Sequence, residues 1–301
     1  MSLIALFGTF ETGLVFALVA LGVLLSFRIL DFPDLTADGS FPLGAFACAV
    51  CMVAGINPLW AVAAGFAAGA AAGLITAWLN VRLGILQLLA GIIVMTALYS
   101  ANLRIGGAPN IPLLGNQTVF DLFTPLIGSG IWQNTAVLLL MVLLIKLALD
   151  WFFSTETGLA MRATGANPRM ARAQGIATGN MVLLGMALSN GLIALAGALF
   201  AQLVGGADVS AGLGTIVFGL AAVILGEALL PSKNMWLITL SVIVGSIVYR
   251  LFIMLAMGSE TLSGLGLQTQ DLNLVTSVLV VFVLMLPKIK NHLKKKRKPL
   301  P

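Results

Sequence analysis

The residues of this chain that could do chemistry are few, and their spacing sorts them into three groups. The first is a polar stretch, residues 154–180 (STETGLAMRATGANPRMARAQGIATGN), which carries Arg162, Arg169 and Arg172. Asn167 followed by Pro168 reads as a helix start, since an Asn side chain accepts from orphan N–H groups and Pro at the first helical position gives up no hydrogen bond. Gly175 is the matching stop. Arg169 and Arg172 are three apart and share a face of the two turns between, with Ala171 beside them. Residues 157–165 repeat the plan as a shorter turn with Gly158, Arg162 and Gly165. A short basic helix of this kind has the chemistry of a contact, a plug for a socket on another protein; the alternative is an ordinary charged connector. The second group is acidic and hydroxylic: Asp34, Thr36 and Asp38, then Asp208 and Ser210. The third, Cys48, Cys51 and His292, offers neither a metal site nor a redox pair, because both cysteines lie in an apolar run and the histidine is far away in the tail.

Several chemistries have no residues to perform them. There is no G-x-x-x-x-G-K-[ST] phosphate loop, so no ATP site of that type is expected and no cofactor is expected at all. Nor is there a paired intramembrane carboxylate relay; Glu11 and Arg250 are the candidates for a secondary transporter's coupling groups, and both fall toward the outer end of their spans. An intramembrane enzyme would need a nucleophile and base at one depth, and no Ser, His and Asp are so placed. Energy for any pumping must then come from a partner, which is what the basic plug also suggests.

The elements that position these groups are membrane spans. Of 301 residues, 59% are apolar and 9% charged, and long uncharged runs recur, so the expected fold is an all-α polytopic membrane protein forming one domain over residues 1–301. About nine spans are expected, over residues 3–27, 39–56, 59–78, 85–101, 134–153, 181–204, 215–230, 235–257 and 272–286, with residues 102–133 as a loop, with or without a surface helix, and 258–271 as a polar loop. Residues 27–45 (FRILDFPDLTADGSFPLGA) interrupt the helical pattern with Pro33, Gly39 and Pro42, and broken backbone at that depth is tolerated only under cover of protein or a watery cavity. The third span is crowded with Gly and Ala, so its neighbours should be other helices. Lys146 and Asp150, one turn apart near a span end, are expected to snorkel to the interface. The first residues show no basic region or cleavage site, so no cleaved signal peptide is expected.

Charge orients the spans. With the basic tail at residues 287–301 inside, parity places Arg28, Arg82, the 154–180 loop and Lys233 inside too, leaving only Arg104, Lys146 and Arg250 of the 16 lysines and arginines elsewhere. The N-terminus is then outside and the C-terminus cytoplasmic. Basic residues beside a last span are held by the anionic inner leaflet, so the tail needs no nucleic acid. Asp34-Leu35-Thr36-Ala37 also matches Asp208-Val209-Ser210-Ala211 in type. These copies stand five spans apart, facing opposite sides, which is the pattern of an inverted repeat with substrate passing near its interface. Asp34, Thr36, Asp38, Asp208 and Ser210 are therefore expected along a translocation path, unless they only cap helix starts.

The stretch T-G-L-A-M-R-A-T-G-A-N-P-R-M-A-R-A-Q-G-I resembles the coupling segment of bacterial ATP-binding-cassette importer permeases of the branched-chain amino-acid and ribose type. D-L-T-A-D-G-S-F-P-L-G-A is similar to that superfamily's second-span signature and G-L-A-A-V-I-L-G-E-A to one in its later spans. The phrase S-N-G-L-I-A-L-A-G-A-L-F-A-Q is most similar to a branch proposed for tryptophan or tyrosine. The resemblance implies a non-catalytic permease subunit of the bacterial cytoplasmic membrane, homodimeric or pseudo-dimeric. It further implies two ATPase subunits inside that bind the ATP, and an extracytoplasmic binding protein that delivers a small solute, an amino acid or else a sugar or nucleoside. Gly158, Arg162, Gly165, Asn167, Pro168, Arg169, Ala171, Arg172 and Gly175 would form the coupling surface.

Overall fold

The computed structural model describes residues 3–128, 130–257 and 281. Its first helix, α1 (Leu3–Val23), runs on as a six-residue π-helix, Leu24–Ile29, and then breaks. The chain resumes as α2 (Ala37–Val53), α3 (Pro58–Leu83) and α4 (Gln87–Gly106). A short strand β1 (Asn110–Pro112) and two single turns, α5 (Val119–Leu122) and α6 (Thr124–Ile127), lead to α7 (Gln133–Ser154). After α8 (Glu156–Ala166) and α9 (Pro168–Ala173) comes the longest helix, α10 (Thr178–Val204). Strand β2 (Gly206–Asp208) and a 3-10 turn, Val209–Gly212, precede α11 (Thr215–Leu229) and α12 (Met235–Met257).

Among the described residues seven helices are long and apolar enough to cross a membrane, and α2, at 17 residues, is shorter. The ninth expected span, the loop at 258–271 and the basic tail lie outside the described residues. The expectation that residues 102–133 form a loop is modified: α4 continues to Gly106, and β1 pairs antiparallel with β2, Ile111 opposite Ala207. Pairing satisfies backbone groups that neither segment can satisfy alone.

The bundle is built around α1, whose residues from Gly13 to Val23 are all buried against α7, α10, α11 and α12. Next to it α10 packs along α3 at backbone distance. A Cβ on Gly73 would overlap the Met186 carbonyl, and one on Gly69 would crowd Asn190. The small-residue stripe of α3 thus does what small residues do in membranes, letting two helix backbones touch. Lys146 departs from expectation. Its side chain is 2% exposed, Nζ lies 2.6 Å from Asp150 Oδ2 and 3.9 Å above the Trp236 ring, and Asp150 Oδ1 accepts from Thr239. Because α12 covers that face of α7, this pair is locked between helices instead of reaching outward.

Contacts also gather the basic turns at one end of the bundle. Gly165 of α8 abuts the Ile29 carbonyl, Gly179 at the start of α10 meets Val81 at the end of α3, and Arg28 pairs with Glu227. The β1–β2 ribbon marks the opposite end, where Gln202 accepts from the Val119 N–H.

Candidate functional site

Two places collect the polar side chains singled out by sequence. At the basic end, Thr155 caps α8 by accepting from the Gly158 N–H, and Asn167 Oδ1 accepts from the Met170 N–H at 3.0 Å to cap α9, with Pro168 at its first position. Gly175 adopts φ +84°, the left-handed stop a Cβ would strain. Arg162, Arg169 and Arg172 are exposed, and Arg172 Nε folds back on the Pro168 carbonyl at 3.2 Å. Met170, 59% exposed between the two arginines, adds an apolar contact that charge-based reading overlooked. Ala171 is placed differently from the two arginines. It is 3% exposed and faces its own protein, so it seats α9.

Gly158 and Gly165 are needed for close approach. A Cβ on the first would overlap the Phe152 carbonyl, and one on the second the Ile29 carbonyl. Gly165 is helical, so its importance is contact with the end of α1 and not a left-handed cap. Met161 reaches Gly185 of α10. The exposed basic helix is therefore mounted on a base that touches α1, α7 and α10 directly, and a force applied to it has a rigid route into the bundle.

The second place is where the broken helices begin. Asp34, 1% exposed, accepts from the Thr36 N–H at 2.9 Å and from Asn190 Nδ2 at 2.7 Å. Asn190 Oδ1 in turn accepts from Ser40 Oγ at 2.7 Å, and the Thr36 and Thr76 hydroxyls are 2.8 Å apart. Asn190 stands ~18 Å along α10 from its start at 1.5 Å per residue, so the loop before α2 reaches deep into the bundle. These side chains knit α2, α3 and α10 together. Asp34 and Thr36, expected along a path, are both buried among helices here.

Asp38 is placed differently. Its Oδ1 accepts from the Ile216 N–H and Thr215 Oγ1, both at 2.9 Å, and its Oδ2 from the Gly214 N–H at 3.2 Å. One carboxylate thus joins the first turn of α2 to the N-terminus of α11, where two positive helix ends converge. Asp208 holds Ser210 through its N–H and hydroxyl at 2.7 and 2.6 Å, the same Asx turn that Asp34 makes with Thr36. Asp38 and Ser210 line a cavity of about 340 Å³ together with Thr96, Tyr99 and Asn102 of α4. Those three α4 residues were missed, although a spacing of three puts them on one helical face. Asn102 donates to the Gly39 carbonyl at 3.3 Å, and its Oδ1 is buried with no partner among the described residues. Among the described residues no group of His, Cys, Asp and Glu has a metal-binding arrangement.

Residues 5–286 match the family described as branched-chain amino acid transport system / permease component. A tyrosine transport system permease protein of Clostridioides difficile is 38% identical over 283 residues, covering 94% of this chain and 91% of the relative. An uncharacterized protein of Rickettsia prowazekii is 34% identical over 220 residues, 72% of this chain and 75% of its own. No solved structure gave a significant match.

Proposed function

The chain belongs to the family of branched-chain amino acid transport system permease components, and from that premise we propose that it is the membrane subunit of an ATP-driven importer of an aromatic amino acid. The observation that carries this reading is the mounting of the basic helix: exposed Arg169, Met170 and Arg172 in front, Gly165 and Met161 in contact with α1 and α10 behind. A separate ATPase docking there would push on the bundle through rigid contacts, with Asn167, Pro168 and Gly175 setting the shape of the plug. That end of the bundle is then cytoplasmic, the N-terminus is outside, and ATP stays with the partner.

The cavity at Asp38, Thr96, Tyr99 and Ser210 is our candidate for part of the translocation path, with Asp208 holding Ser210 in place. It opens along α4, the least buried of the seven candidate spans, whose Tyr99 is 55% exposed. Polar groups on an exposed span face suit a second permease copy across a solute path better than lipid. A binding protein on the β1–β2 side would deliver the solute. The substrate assignment rests on the relative named for tyrosine transport. The test is Arg169→Glu with Arg172→Glu: co-purification of the cognate ATPase and ATP-driven tyrosine uptake in proteoliposomes should both be lost. Retention of both would overturn the reading.

A further inference from the structure

We propose a second amino-acid site, regulatory and not on the path, in the cleft between the end of α1 and α8. It rests on the cytoplasmic placement of that end given under Proposed function.

Three unusual features coincide there. The last six residues of the α1 rod form a π-helix, and the widened winding continues in the Leu30 N–H to Leu25 carbonyl bond at 3.0 Å and the Phe32 N–H to Ser26 carbonyl bond at 2.9 Å. Asp31 follows at φ +53°, the only non-glycine residue in the left-handed region among the described residues. Its neighbours Leu30 and Phe32 are buried, so the backbone is held in this conformation from both sides. A π-turn and a left-handed carboxylate side by side are strained local choices of the sort retained where a site must be aimed. What they border is a cavity of about 460 Å³, lined by Arg28, Asp31, Arg162, Phe27, Met235 and Ile238 among others.

The chemistry of the lining is specific. Arg28 is engaged by Glu227 through Nε at 2.8 Å, whereas Arg162 has no ion-pair partner among the described residues. A free guanidinium recognises a carboxylate, the Asp31 carboxylate recognises an ammonium, and Phe27, Met235 and Ile238 offer an apolar wall. A phosphate or polyanion fits poorly, because Asp31 would repel it. An α-amino acid with a sizeable apolar side chain meets all three demands. Once bound, it bridges Asp31 on the α1 side to Arg162 on α8, across the contact that Gly165 makes with Ile29. A ligand that binds only when two elements are close favours the state in which they are close. Accumulated amino acid in the cytoplasm would thus hold the coupling loop against α1 and slow further import.

The experiment uses the purified full-length permease in nanodiscs, with binding of radiolabelled tyrosine as readout, alongside the complete transporter in proteoliposomes with tyrosine added on the ATPase side. Asp31→Asn removes the charge while keeping a residue that tolerates the left-handed backbone. Ile238→Trp fills the cleft by a different route. Each should weaken tyrosine binding about tenfold or more, for Asp31→Asn the scale of one charge-assisted contact, and shift inhibition by cytoplasmic tyrosine to correspondingly higher concentration. Uptake without cytoplasmic tyrosine should stay unchanged. Tyramine, which lacks the carboxylate, and 3-(4-hydroxyphenyl)propionate, which lacks the ammonium, should each bind and inhibit at least about tenfold more weakly than tyrosine. Tyrosine binding that is absent from the parent protein, or equal in parent and both monodisperse variants, would overturn the site. So would equal binding of the propionate, which would mark a plain anion site. Normal binding with no ATP-driven uptake would instead count against the transport reading and leave the site standing.

Discussion

Asn167 and Asn190 are the same residue type in the same role, satisfying polar groups at a helix break, yet the regions around them differ in kind. Asn167 is exposed and bonds to the N–H three residues on. Asn190 is 0% exposed and bonds to Asp34, 156 residues away, and to Ser40. The coupling loop is locally built and could be rebuilt locally; the junction of α2, α3 and α10 exists only when three helices are assembled. Water substitutes for lost bonds in the first region and cannot in the second, so equal changes should have unequal costs.

The largest effect is expected at the junction. Asn190→Leu leaves the buried Asp34 and Ser40 without their shared partner, costing about 3 kcal/mol, read as a large fall in detergent unfolding temperature and protein level. A loss no greater than that of a surface change would break the comparison. Gly165→Val belongs to the loop but strikes its buried base. Forcing α8 from the Ile29 carbonyl should cost about 2 kcal/mol and uncouple ATP hydrolysis from uptake while the protein still purifies. Asn167→Ala removes an exposed cap worth about 1 kcal/mol. Hydrogen exchange should rise in α9 and nowhere else; a rise spreading into α10 would show the loop to be less independent than its bonds suggest. Least of all, Arg28→Ala deletes an ion pair whose side chains are 64% and 34% exposed. The expected loss is about 0–1 kcal/mol, smaller still at high salt.

What spacing leaves undecided follows the same division. A broken helix with polar residues needs cover, and at Asp34 and Thr36 that cover comes from Asn190 of α10, Thr76 of α3 and Gly91 of α4. The burial of Ala171 is not legible from spacing, because a two-turn helix does not announce which side is mounted. Thr96, Tyr99 and Asn102 were missed because spacing alone does not distinguish a cavity-facing stripe from any other in an apolar helix.

By itself the sequence determined the solvent, the helical class, most span limits and the loop with its caps. Those depend on hydrophobic run length and on bonds closed within three or four residues. Which faces meet was decided only by the tertiary structure. Asp38 meets Ile216 across 178 residues, and helices that are apolar on every side carry no moment to orient them. Their rotation is set by where glycines let backbones touch and where buried polar groups find each other. Neither constraint exists until the helices are side by side.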